Sequence, residues 1–188
     1  MFKKLLLMML ACLTALVFAG TGLAESDRPL QVVCTTFPQY DWARSILGEK
    51  DSGVELTLLL DSGVDLHSYQ PTAADMLTIG ECDLFLYNGG ESDAWVERVL
   101  ATAANPDRRT LSVMEVLGDS VLEEEVVEGM QEAEDHDHAE GEAHEEEADE
   151  HVWLSLRNAR TACAEIARVL GELDPDHAAE YQTNAENY

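Results

Sequence analysis

Short apolar runs alternate along the first part of the chain with segments of mixed polarity. Each run is rich in leucine, valine or other residues typical of a strand buried on both faces. The runs that predict strands cover residues 30–35, 54–60 and 83–87, with a shorter candidate at 110–113. Turn residues follow two of them, at 61–63 and 88–90.

The segments between these runs predict helices. The first opens at Pro38, carries Trp42, Ile46 and Leu47, and stops at Gly48. Two further helices are predicted, at residues 71–79 and at about 93–104. Strands that alternate with helices at this spacing predict an α/β fold with a parallel sheet.

Beyond residue 150 the apolar residues recur with the spacing of a long amphipathic helix. The residues on this stripe are Ala159, Ala162, Cys163, Ile166, Leu170 and Leu173. Ser155 is suited to cap the start of the helix, and Asp174-Pro175 interrupts the pattern. A further helix then runs to Tyr188 without a stop signal. We therefore expect this chain to be the N-terminal part of a longer protein.

Three loops are expected to meet at one edge of the predicted sheet, because ligands of parallel sheets bind beyond the carboxyl ends of the strands. Their sequences are TTFPQYD, DSGVDLHSYQPT and NGGESDAW. His67 lies in the second loop. A single loop histidine is usually only a solvated side chain, but this position makes His67 a candidate metal ligand.

The segment QEAEDHDHAEGEAHEEEADEHVWLS, residues 131–155, combines histidines with many carboxylates. His136, His138 and His144 lie within its low-complexity part, whose spacing defines no rigid geometry. That part is either a solvated acidic linker or a mobile loop that attracts metal ions weakly. His151 differs, because it stands where the apolar helical pattern begins. It is the second candidate ligand, and two imidazoles would supply half of a tetrahedral zinc shell.

The net charge of the chain limits the classes of partner that it could bind. It carries 38 acidic and 11 basic residues, a formal net charge of -27. Nucleic acid is excluded as a partner by this balance, since phosphate binding needs clustered lysine and arginine. Metal ions or a cationic partner fit better.

The N-terminus has the pattern of a secretory signal peptide over residues 1–24. Lys3 and Lys4 precede an apolar stretch that is shorter than a spanning helix needs, and Ala24 ends a small-x-small cleavage site. We expect cleavage and a periplasmic or other extracytoplasmic location. Lipid attachment at Cys12 is the less favoured alternative, because the preceding residues form a poor lipoprotein box.

The remaining cysteines are Cys34, Cys82 and Cys163. Core packing is the preferred interpretation, and a disulfide between Cys34 and Cys82 stays open. Sequence motifs of catalysis are missing: neither H-E-x-x-H, G-x-S-x-G, a P-loop nor G-x-G-x-x-G occurs. The chain is therefore expected not to be an enzyme.

Four motifs in order resemble the zinc/manganese solute-binding proteins of ABC importers. They are VVCTTFPQYDWA, GVDLHSYQPTAADM, CDLFLYNGGESDAWV and DEHVWLS. The resemblance implies two α/β lobes joined by a long helix, with the metal between them. It assigns His67 and His151 as ligands from this lobe and places the other ligands in a second lobe. Leu66, Glu150 and Leu156 stand where the family often has proline.

The resemblance, with the His-rich tract, favours the zinc-specific branch; nitrogen ligands also favour Zn²⁺ over Mn²⁺. It implies a monomer that delivers zinc to a membrane permease. The alternatives are a manganese importer component, or an exported metal-binding adhesin or zinc-buffering surface protein. We expect a signal peptide at 1–24, a parallel-sheet lobe at 25–118, the His-rich loop at 119–150 and the linker helix with the next helix at 151–188.

Overall fold

A computed structural model describes residues 28–48, 53–61, 63–102, 104–123 and 148–188. Four strands occur within these ranges: β1 Leu30–Cys34, β2 Val54–Leu58, β3 Leu84–Tyr87 and β4 Arg109–Ser112. The α-helices of the same ranges are α1 Phe37–Leu47, α2 Ala73–Glu81, α3 Val96–Leu100, α4 Val113–Leu117, α5 Leu156–Leu173 and α6 Ala178–Asn187.

The strands form one parallel sheet in the order β2-β1-β3-β4. The central strand β1 pairs Val33 with Thr57 of β2 on one side and with Phe85 of β3 on the other. The predicted α/β class with a parallel sheet is therefore confirmed. Because the strands run in one direction, the loops that follow β1, β2 and β3 leave from the same edge.

Side chains of β1 point alternately into two apolar clusters, one on each face of the sheet. Val32 and Cys34 lie in the larger cluster with Ile46 of α1 and Ile166 of α5. Val33 lies in the smaller cluster on the opposite face. Its other buried members are Tyr69, Ile79, Cys82, Phe85, Trp95, Val96 and Val99. Burial on both faces explains why the strand sequences read as continuous apolar runs.

The capping residues set the observed helix boundaries. Helix α1 ends before Gly48, whose φ of 78° is accessible mainly to glycine. Helix α2 begins at Ala73, after the predicted Pro71, because Thr72 and Asp75 form a reciprocal capping box. In both cases a local side chain or backbone conformation decides the terminal residue.

The predicted helix at 93–104 is shorter in the structure. Residues Glu91–Asp93 form a 3₁₀ turn, and α3 covers only Val96–Leu100. Asp93 turns its carboxylate back to the Gly89 N–H, so it serves the preceding loop. At the other end, the Thr102 N–H bonds to the carbonyl of Val99, which tightens the last turn. Helix α4 was not predicted; the side chain of Ser112 caps it.

Helix α5 buries the stripe that its sequence predicts. Ala162, Ile166 and Leu170 are fully buried against the sheet and α1. Helix α6 packs on both α5 and α1, and the side chain of Asn184 donates to the carbonyl of Ile46 at 2.9 Å. Helix α5 is therefore held between the sheet, α1 and α6. No helix in the described ranges is long and apolar enough to cross a membrane.

Cys34, Cys82 and Cys163 are buried and free, which agrees with core packing. Burial raises the pKa of Cys82 to about 12 and that of Cys163 to about 11. The predicted signal peptide at 1–24, with Cys12, and the greater part of the loop at 119–150 lie outside the described residues.

Candidate metal centre

His67 lies at the sheet edge in a short 3₁₀ turn, Leu66–Ser68, in the loop after β2. The turn is capped by Asp65, whose carboxylate accepts the backbone N–H of His67 at 3.2 Å. The side chain of Leu66 is buried and holds the turn against the domain. The His67 side chain is 53% exposed. A buried neighbour and a local cap thus present an imidazole to solvent.

His151 is presented in a similar way. It precedes the 3₁₀ turn Val152–Leu154, and Val152 is buried. The Asn158 side chain donates to the Val152 carbonyl at 3.2 Å, which ties the turn to the start of α5. Ser155 caps α5 by accepting the Asn158 N–H. The His151 side chain is 44% exposed, so it too faces solvent from a fixed backbone.

The structure brings the two imidazoles together. The ring centroids of His67 and His151 lie 5.6 Å apart, with an angle of 55° between the ring planes. Both rings line one cleft of about 410 Å³. Its other lining residues are Gly90, Glu91, Ser92, Ala148 and Glu150. The loop after β3 and the segment before α5 therefore meet at the same place as the loop after β2.

The hydrogen bonds of both rings involve Nδ1. The Oγ of Ser92 lies 2.9 Å from Nδ1 of His67, and Oδ1 of Asp149 lies 3.0 Å from Nδ1 of His151. An imidazole that donates through one nitrogen offers the lone pair of the other to a metal. The partner of His151 is a carboxylate, which only accepts, so Nε2 of that ring is left for a metal. Nε2 of His67 is left for a metal when Nδ1 carries the proton.

Asp149 is held in place by the backbone as well as by the ring. Its Oδ1 accepts the backbone N–H of His151 at 2.9 Å. That hydrogen bond, followed by the bond to the His151 ring, lowers the pKa of Asp149. Asp149 thus has the position of the carboxylate that commonly orients a metal-binding histidine.

Buried polar groups connect the loop after β3 to the segment before α5 that carries Glu150 and His151. The Asn88 side chain donates to the carbonyl of Glu150 at 2.9 Å. The Gly89 N–H donates to Oδ2 of Asp93 at 2.9 Å. Burial raises the pKa of Asp93 to about 6, and the backbone N–H groups of Gly89 and Asn88 oppose that rise. These contacts hold together the loop after β3 and the segment before α5, and both of these line the cleft.

The described residues supply two candidate ligand groups, which is fewer than a closed metal site needs. No group of three or more histidine, cysteine, aspartate or glutamate side chains is placed to hold a metal within those ranges. Two neutral imidazoles can bind a borderline divalent cation and leave its remaining positions to other ligands. His136, His138 and His144 lie outside the described part of the chain.

The sequence analysis missed three polar residues at the cleft: Ser92, Asp149 and Glu150. Asp149 could have been found from the D-x-H spacing, since an aspartate two residues before a histidine can accept both its backbone and ring N–H. Ser92 carried no such signal. It meets His67 only after folding, across 25 residues of sequence.

A family model described as ZnuA, zinc-uptake complex component A, periplasmic, matches residues 32–188. The chain belongs to the ZnuA family. The matched span runs from within β1 to the end of α6 and includes both histidines of the cleft. Membership agrees with the resemblance found in the sequence motifs.

Curated relatives of this ZnuA-family chain include zinc proteins of several bacteria. The high-affinity zinc uptake system protein ZnuA of Bacillus subtilis is 31% identical over 195 residues, which cover all of this chain and 58% of that protein. The zinc-binding lipoprotein AdcA of Streptococcus pneumoniae is 29% identical over 186 residues, 99% of this chain and 35% of AdcA. The chain thus spans between about a third and three fifths of these relatives.

Solved structures of similar fold carry different metals. Zn(II)-bound AdcA from Streptococcus pneumoniae has a TM-score of 0.63 at 25% identity, covering 85% of this chain and 30% of AdcA. A Mn-bound periplasmic metal-binding protein from Candidatus Liberibacter asiaticus has a TM-score of 0.63 at 27% identity, covering 85% and 51%. The ZnuA-family fold is therefore compatible with more than one divalent cation.

Proposed function

We propose that this chain captures Zn²⁺ outside the cytoplasm, as part of a solute-binding protein that delivers zinc to the permease of an ABC importer. The observation that carries the proposal is the pair of half-exposed imidazoles, His67 and His151, with ring centroids 5.6 Å apart. Each ring has Nδ1 within hydrogen-bond distance of a neighbouring oxygen, and each can offer one neutral nitrogen to the metal. The chain binds and releases its metal without making or breaking covalent bonds.

Zinc is the favoured cargo because the two ligands are nitrogen atoms. Zn²⁺ binds imidazole readily, whereas Mn²⁺ prefers oxygen ligands. The names of relatives that mention zinc uptake or zinc binding support the same choice. The remaining ligands would come from a second lobe, as the resemblance implies, and the protein would act as a monomer that presents its metal to the permease.

The His-rich tract has an accessory role in this proposal. His136, His138 and His144 would bind zinc weakly at several sites and raise its concentration near the cleft. The tract joins the described domain at Ala148, which itself lines the cleft. Ions held by the tract would therefore be released close to His67 and His151.

The test is a chelator-competition titration of zinc on the full-length protein. The variant with both His67→Ala and His151→Ala should lose more than roughly 100-fold in affinity, since even the outer partners of metal ligands contribute 10–100-fold. His177→Ala is the matched control: it also removes a half-exposed histidine paired with an aspartate, but at the turn before α6. Unchanged zinc affinity in the double variant would show that the site assignment is wrong.

Delivery to a permease is tested in cells. In a strain from which the native gene is deleted, the gene with both substitutions should fail to restore growth in zinc-limited medium. The His177→Ala gene should restore growth. Equal growth with both genes would contradict a role of this site in zinc uptake.

A further inference from the structure

Glu150 is a buried carboxylate at the back of the metal cleft. Its side chain is only 9% exposed. One oxygen, Oε1, accepts the backbone N–H of Ser92 at 3.0 Å. The other, Oε2, is buried and has no hydrogen-bond partner among the described residues. A buried, unpaired carboxylate oxygen is costly, so its retention calls for a physical reason.

The unpaired oxygen faces the ring of His67. Oε2 of Glu150 lies 3.8 Å from Nδ1 of His67, the same nitrogen that meets the Oγ of Ser92 at 2.9 Å. At 3.8 Å the carboxylate makes an electrostatic contact and not a hydrogen bond. At this distance the negative oxygen repels a lone pair on Nδ1 and attracts the positive charge of an N–H at Nδ1.

We propose that Glu150 is a positioning residue that holds His67 in the tautomer protonated at Nδ1, so that Nε2 keeps its lone pair for the metal. The inference deepens the proposed function and rests on it. Each imidazole of the cleft then has its own carboxylate from adjacent positions: Asp149 serves His151, and Glu150 serves His67. Such outer partners fix the orientation of a ligand and its basicity.

Ser92 alone does not select the tautomer. A hydroxyl group rotates and can either donate to Nδ1 or accept from it. The Ser92–His67 hydrogen bond is therefore compatible with both tautomers. The carboxylate only accepts, and it is the group close to Nδ1 that distinguishes them.

The backbone at Gly90 leaves the space that the Glu150 side chain occupies. Gly90 has a φ of 85°, and a Cβ built on it would overlap the side chain of Glu150. The Asn88 side chain also holds the Glu150 carbonyl at 2.9 Å. Glu150 is thus fixed through its backbone and through Oε1, with Oε2 directed at His67.

The site geometry favours an outer role over direct ligation. Glu150 approaches the Nδ1 side of His67, away from the Nε2 atoms that the hydrogen-bond pattern leaves for metal. Within the described residues the two histidines and a carboxylate do not form a group that could hold a metal.

The experiment reads the tautomer of His67 directly. Two-bond proton–nitrogen NMR spectra of the metal-free protein at about pH 8, where histidine is ordinarily neutral, distinguish N–H at Nδ1 from N–H at Nε2. Wild-type His67 should be protonated at Nδ1. In Glu150→Gln the amide oxygen can still accept from Ser92, which leaves the NH₂ facing Nδ1. His67 should then shift to the tautomer protonated at Nε2.

Zinc affinity of the full-length protein is the second measurement. Glu150→Gln should weaken binding by roughly 10–100-fold, while its melting temperature stays close to that of the wild type. Glu97→Gln is the control, since it removes the same charge from an exposed position on α3. An equal loss in Glu97→Gln would show a general charge effect and overturn the proposal.

Two results overturn the inference without touching the proposed function. One is a wild-type His67 protonated at Nε2, which needs no variant and so does not depend on how well Glu150→Gln folds. The other is a Glu150→Gln protein with unchanged tautomer and affinity. Failure of the double histidine variant to lose zinc affinity would instead refute the proposed function, and the tautomer result would stand by itself.

Discussion

Single buried polar residues determine the shape of the metal cleft. Asn88 and Asp93 belong to the loop after β3, and Glu150 belongs to the segment before α5; all three are buried. Asn88 joins the two segments through the Glu150 carbonyl, and Asp93 holds the Gly89 N–H. Buried polar groups of this kind stabilise a unique arrangement only when their partners are in place. The cleft therefore depends on side chains that would not bind metal themselves.

Asp93→Asn should change the pH dependence of stability. Burial in the folded protein raises the pKa of Asp93 from 3.8 to about 6, so the folded state favours the protonated carboxyl. The stability gained from this preference is fully present below pH 3.8 and is lost as pH rises through about 6. Relative to wild type, Asp93→Asn should gain stability from pH 4 to 7, by up to about 3 kcal/mol from a shift of about two units.

Urea unfolding at a series of pH values measures this difference. Asp107→Asn is the control, because Asp107 is exposed and its charge stays in water. A constant difference between wild type and Asp93→Asn from pH 4 to 7 would contradict the assigned burial of the charge.

Gly90→Ala should destabilise the protein and weaken zinc binding together. The φ of 85° at Gly90 strains any residue with a side chain, at roughly 1–3 kcal/mol, and the new methyl group would displace Glu150. Gly63→Ala is the matched control, since Gly63 has a φ of 71° but no atom within 4 Å of an added Cβ. Thermal unfolding and zinc titration compare the two. Equal losses in both variants would mean that the contact with Glu150 adds nothing.

The candidate ligands were predictable from sequence, whereas the partners of His67 were not. His67 follows a predicted strand, which placed it at the sheet edge. His151 precedes a predicted helix, and the family resemblance paired it with His67; their role as ligands stays a prediction. The partners of His67 depend on long-range contacts. Ser92 and Glu150 meet across 58 residues of sequence, and no local pattern encodes such a contact.

At the scale of elements, two short 3₁₀ turns position the candidate ligands. The turn Leu66–Ser68 carries His67, and the turn Val152–Leu154 follows His151. The latter leads directly into α5, whose N-terminus is capped by Ser155. Helix α5 is anchored by its buried stripe. The position of His151 therefore depends on how firmly the first turn of α5 is held.

Ser155→Ala should lower the free energy of unfolding by about 1 kcal/mol, the usual effect of losing an N-cap. Chemical unfolding measures it. Thr161→Ala is the control, because Thr161 is exposed on α5 and its hydroxyl bonds only within the helix; it should stay within about 0.5 kcal/mol of wild type. Equal stability of Ser155→Ala and wild type would show that the cap is not needed to hold α5.

The long elements were predicted well, and the short ones poorly. Strong apolar runs and the stripe of α5 decide their own structure because burial favours one periodicity. Helix α4 was missed, and α3 was drawn too long. Both helices are five residues long, too short for an apolar periodicity to be recognised. Local contacts, such as Asp93 with Gly89 and the Ser112 cap, set their limits.

At the scale of the whole molecule, both candidate ligands belong to one sheet-based domain. His67 lies in the loop after β2 and His151 in the segment before α5, and their rings line one cleft. The 3₁₀ turn of His67 and the start of α5 hold the backbone at both positions. The described domain thus presents two candidate ligands side by side.

The chain of 188 residues should by itself bind zinc weakly, in the micromolar range or above, because a zinc site of high affinity ordinarily has at least three protein ligands. Isothermal titration calorimetry measures this. A variant with His136, His138 and His144 changed to alanine separates binding by the tract from binding by the cleft. Nanomolar 1:1 binding that survives in this variant would contradict the two-ligand description.

The two ends of the segment 124–147 are joined by the domain itself. Glu123 and Ala148 form an antiparallel bridge, and the Asp149 N–H donates to the Leu122 carbonyl at 2.8 Å. Residues 148–151 are therefore tied to residues 122–123 beside the cleft. The backbone that presents His151 is held on both sides, by this bridge before it and by the first turn of α5 after it.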